Sequence, residues 1–125
     1  SLNNICHILG ILGRYGNALE ATREAVEIYR PLAQQNPRAF QPELASNLNN
    51  LGAMLSALGH YEEALAALEE AVDKIWPFFE HSPLIFGHNT ALMLDSLWDL
   101  HESLQRPLPS VFQVRVAIFE RLTQL

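Results

Sequence analysis

The chain has 125 residues, 49% of them hydrophobic, and a formal net charge of −6. That length suits one domain with a core of its own, while the acidic balance and the want of any Lys/Arg cluster remove the electrostatic footprint of a nucleic-acid binder. No apolar run reaches the ~20 residues of a membrane span, and the single cysteine, Cys6, excludes an intrachain disulfide framework and suits a reducing, cytoplasmic setting.

In chain order, the pattern predicts helices near residues 2–12, 15–35, 42–58, 61–80, 88–104 and 109–124. Gly13 is placed as the left-handed stop between the first two. Pro31 lacks an N–H and crowds the preceding turn, so it is expected to kink or end the second helix, and "NPRAFQPE" reads as a connector. In the third helix Leu44, Leu48, Leu51, Leu55 and Leu58 recur at spacings of three and four, forming one apolar stripe. Gly59 stops it. Ala64, Leu65, Leu68, Ala71, Val72 and Ile75 then form the stripe of the fourth helix, with Glu62, Glu63, Glu69 and Glu70 mostly off it. Pro77 and "SPLIFGHN" repeat the expected break and connector, and Phe40 and Phe86 lead into the next helices as packing across each joint.

The chain also repeats itself. "LGRYGNALEATREAV" (12–26) returns as "LGHYEEALAALEEAV" (58–72) at an offset of 46 with no gap, which carries Gly13 to Gly59, Tyr15 to Tyr61 and Ala18 to Ala64. The same offset carries Pro31 to Pro77, Pro37 to Pro83 and Phe40 to Phe86, and a fainter third copy follows with Leu51 to Leu97, Leu58 to Leu104 and Val72 to Ile118. A period of this size marks a solenoid of stacked hairpins. The expected fold is therefore all-α: a right-handed α-solenoid of about three helix-turn-helix hairpins and six helices, one domain over 1–125 with repeats near 1–38, 39–84 and 85–125. The start inside a repeat is read as a slice of a longer array. Small residues at Gly52, Ala64 and Ala71, with Ala18, Ala25 and Ala117 equivalent, mark where paired helices come close.

At "NNLGAMLSALGHYEEALAALEEAV" the chain resembles the tetratricopeptide repeat family, in the long-helix form similar to kinesin light chain repeats and to arrays of fungal and bacterial signalling proteins. Leu48, Leu51, Gly52, Leu55, Gly59, Tyr61, Ala64, Leu68 and Ala71 carry the resemblance, which covers nearly the whole chain. The third copy departs from it, with Trp98 for Gly52, Gln105 for Gly59 and Pro107 for Tyr61.

The resemblance implies a protein-interaction scaffold without cofactor, metal or catalysis, whose first helices line a concave groove for a peptide or partner segment. The residues then on that face are Asn3, His7 and Gly10 in copy one, Asn49, Asn50, Ala53 and Ser56 in copy two, and Asp95, Asp99 and Glu102 in copy three. Asparagines there can pair with an extended backbone, and the acids favour Lys or Arg on the ligand. The alternative is that these polar groups only satisfy their neighbours, and that the chain is a spacer or self-association slice of a larger protein, acting through exposed end helices. "WPFFEHSPLIF" (76–86) is expected to fill the joint between copies two and three, or else to expose an aromatic patch, and "VFQVRVAIFERL" carries enough apolar surface to need a cover. The pairs Glu62-Glu63 and Glu69-Glu70 splay around their helix, adjacent Cys6 and His7 lack the geometry of an activated nucleophile, and His81, His88, His101, Asp95 and Asp99 show no zinc spacing.

Overall fold

A computed structural model describes residues 2–124, with side chains described from Gly13 onward except that of Tyr15. Five helices follow one another: α1 (Leu2–Gln35), α2 (Pro37–Ala57), α3 (Tyr61–His81), α4 (Pro83–Ser103) and α5 (Ser110–Thr123). No strand occurs among the described residues. Neighbouring helices pack in sequence and α2 also meets α4, which makes the chain an all-α helical-repeat solenoid.

The leucine stripe of α2 and the Ala/Leu/Val stripe of α3 face each other. Leu44, Leu48, Leu55, Leu68, Val72, Ile75 and Phe79 lose essentially all solvent contact there, and each large side chain so buried contributes about 1.5–3 kcal/mol. Close approach depends on Gly52, where a Cβ would lie 2.5 Å from Leu68 Cδ2 and 3.2 Å from the Ala64 carbonyl oxygen. The turn between the helices is a Schellman motif: Gly59 at φ +85° lets its N–H donate to Ser56 O and the His60 N–H donate to Leu55 O at 2.8 Å.

Three expectations are corrected. Six helices become five, because α1 runs unbroken through Gly13. A turn there would have to be compensated by packing of its two arms, and the residue 46 before Gly52 is Cys6, not a glycine. A glycine inside a helix costs only about 1 kcal/mol. Second, Pro31 and Pro77 end neither helix, which continue to Gln35 and His81. Third, the two connectors are helical. Asn36 alone separates α1 from α2 and Ser82 alone separates α3 from α4, each accepting N–H bonds of 3.1–3.2 Å from the first helical turn behind it. Pro37 and Pro83 occupy the first helical position, where a fixed φ and a missing N–H start a helix.

The joints are aromatic, as expected of Phe40 and Phe86. Tyr29 meets Phe40 at 6.2 Å, Phe78 meets Phe86 edge-on at 5.5 Å, and Phe79 stacks on Phe119 of α5 at 5.1 Å. Within 76–86 the two readings divide by residue: Trp76 and Phe79 are buried, whereas Leu84 and Ile85 stand in solvent. Helix α5 buries only Phe112 fully and leaves Val111, Val114 and Leu122 exposed.

Candidate functional site

Because α2 buries Leu44, Leu48, Leu51 and Leu55, it turns Asn50 and Ala53 outward and leaves Asn49 and Ser56 half-buried. Because α4 buries Met93, Leu94, Leu97 and Leu100, it exposes Asp95, Asp99 and Glu102. Between the two helices lies a cleft of about 400 Å³ lined by Ala53, Ser56, Ser96 and Asp99, with Tyr61 and Leu68 from α3. The Asn49 Oδ1 is buried without a hydrogen-bond partner in the protein, so its amide has acceptor capacity to spare.

The acidic trio does not act as one group. Asp99 lines the cleft toward α2, whereas Asp95 and Glu102 line clefts toward α5, of about 350 and 470 Å³, on the other side of the α4 ridge. Asn3, His7 and Gly10 belong to the stretch whose side chains are not described.

The paired acids of α3 hold the array together. Glu63 accepts from Arg23 at 3.2 Å, Glu70 takes both terminal nitrogens of Arg30, and Glu62 lies 2.6 Å from Arg106. Glu70 thereby pushes the Arg30 pKa further up. Asp73 adds a pair with Arg115, which also lies over the Trp76 and Phe112 rings at 5.6 and 5.4 Å. These exposed pairs join α1, α3 and α5, each worth up to about 1 kcal/mol. Among the described residues, no three His, Cys, Asp or Glu side chains gather as a metal site.

His101 and Trp98 escaped the sequence reading of the site. His101 is 7% exposed, and neither ring nitrogen has a hydrogen-bond partner. Trp98 is 47% exposed beside it. The signal was present in the replacement of small Gly52 by Trp98 one period on.

A family model described as Tetratricopeptide repeat matches residues 1–74. The chain belongs to the tetratricopeptide repeat family. No curated protein and no solved structure matches it. Tetratricopeptide repeats are in general non-enzymatic modules of protein–protein interaction. The matched span of this tetratricopeptide repeat chain ends within α3, so α4, α5 and the departures at Trp98, Gln105 and Pro107 all lie beyond it.

Proposed function

We propose that this tetratricopeptide repeat chain is a scaffold that holds an extended, basic protein segment against the outward faces of α2 and α4. The observation that carries this reading is the cleft between those helices. It is open, polar on both walls at Ser56, Ser96 and Asp99, and floored by Leu68. Asn49 and Asn50 supply amide donors and acceptors to a ligand backbone, and Asp95, Asp99 and Glu102 set the preference for Lys or Arg. The solvent-exposed Asp99 makes the attraction salt-dependent, since charges a Debye length of about 8 Å apart are screened at physiological ionic strength.

The test is a Lys/Arg-containing peptide selected from an array and titrated by calorimetry. Affinity is expected to fall as salt rises, and Asp95→Asn with Asp99→Asn to weaken binding about tenfold, near 1.4 kcal/mol. Unchanged binding in that double variant would remove the groove assignment. A second reading, self-association, has one observation behind it: Leu84 and Ile85 are 92% and 72% exposed at the start of α4. Sedimentation across a wide concentration range decides it, with a persistent monomer setting it aside.

A further inference from the structure

The third hairpin contains a cleft that the second lacks. At the place of Gly52 stands Trp98, and α5 lies away from α4, leaving about 470 Å³ between them that continues along α4 into the space of about 350 Å³ beside Asp95. Trp98, Val116 and Glu120 line both parts. The walls are an indole and the aliphatic side chains of Leu108 and Val116, and the rim carries Asp95, Glu102 and Glu120. The one cation on the rim, Arg106, is already held by Glu62 at 2.6 Å, so the charge left for a ligand is negative.

His101 adds an independent observation. It lines the cleft, is more than nine-tenths buried, and both its ring nitrogens lack a hydrogen-bond partner, with Glu69 at 3.9 Å lying beyond hydrogen-bond reach. An unmet buried polar group costs about 1–3 kcal/mol, and a ligand N–H donating to the imidazole would remove that cost.

From the juxtaposition of Trp98, His101 and the three rim carboxylates, we infer that the α4–α5 cleft seats an arginine side chain of a bound protein segment. A guanidinium is planar and stacks on an indole. It carries several donors in a fork that suits carboxylates on either flank, and it sheds water more readily than an ammonium. The Leu108 and Val116 wall takes the aliphatic stem. The inference deepens the groove reading and rests on it only in taking the ligand to be a protein segment.

The experiment titrates the full chain with a fluorophore-labelled Gly-Ser-Arg-Ser-Gly peptide and with its lysine and citrulline counterparts, following anisotropy and the two indole N–H signals by NMR. The arginine peptide is expected to move the Trp98 indole signal and leave that of buried Trp76 in place. The citrulline peptide should bind about tenfold more weakly, with lysine between. Glu102→Gln with Glu120→Gln, both exposed and so harmless to folding, should erase the preference for arginine over citrulline, and Trp98→Phe should keep it where Trp98→Leu loses it. Asp99→Asn, on the α2 side, should lower affinity for all three peptides without changing that preference. If arginine and citrulline peptides bind equally, or the Trp98 signal does not move, the arginine seat is wrong; binding that still falls with Asp99→Asn then leaves the groove reading standing. Failure of all three peptides to bind would overturn both.

Discussion

The α2–α3 and α4–α5 hairpins end their first helices on the same backbone bonds, yet only one closes behind its turn. Gly59 donates to Ser56 O and His60 to Leu55 O; 46 residues later Gln105 donates to Glu102 O and Arg106 to His101 O, with Gln105 held at φ +55°. Behind the first turn Gly52 lets Leu68 in until it is 2% exposed. Behind the second, Trp98 faces the corresponding Val114, which remains 56% exposed. The shape of a helical turn is thus set locally by backbone hydrogen bonds, while closure of the hairpin is set by side-chain volume at one position. Stability is concentrated in the closed hairpin and open lining surface in the other.

The largest expected contrast comes from truncating the two equivalent residues. Leu68→Ala should cost about 2–5 kcal/mol, as buried leucines do, and Val114→Ala no more than about 0.5 kcal/mol, as exposed positions do; urea denaturation of both variants measures it. Next comes Gly52→Ala. Its Cβ would meet Leu68 Cδ2 at 2.5 Å and Cγ at 2.6 Å, with the Ala64 carbonyl behind. The overpacking should cost about 1–3 kcal/mol despite alanine's better helix propensity, and a lower thermal midpoint is the readout. Trp98→Ala, which makes the third hairpin resemble the second, should be far better tolerated.

The smallest contrast is one of sign. Gly59→Ala finds open space around its Cβ but not a permitted φ, so it should destabilise by about 1 kcal/mol. Gln105→Gly relieves the same backbone strain and should stabilise by up to about 1 kcal/mol, part of the gain being offset by glycine's freedom in the unfolded chain. Equal signs for the two substitutions would show that the turns are not equivalent.

Much of the closed hairpin was legible in advance, and the reasons are local. The leucine stripe of α2 and the stop at Gly59 are both short-range signals, and the structure places them as read. Gly13 carried the same signal and misled, since a glycine permits a left-handed turn without requiring one. Whether the turn forms depends on packing between its two arms. The prolines at 37 and 83 misled in the other direction, because one residue type both breaks a helix from within and starts one from its first position. At the candidate site, the four- and three-residue spacing of Asp95, Asp99 and Glu102 predicts one helix face. It cannot say that α2 stands on one flank of that face and a displaced α5 on the other. Trp98 was visible as a misfit in the repeat, but the cleft it props open and the unpartnered His101 depend on how far α5 moves.

Amide hydrogen exchange on the full chain, with and without the arginine peptide, tests the division most directly. With no peptide, the amides of α3 should exchange only through global unfolding and those of α5 through a smaller opening, and the peptide should raise protection in α4 and α5 while leaving α2 and α3 nearly unchanged. Equal protection of α3 and α5, indifferent to the peptide, would contradict both the closed and open hairpins described here and the role assigned to the open one.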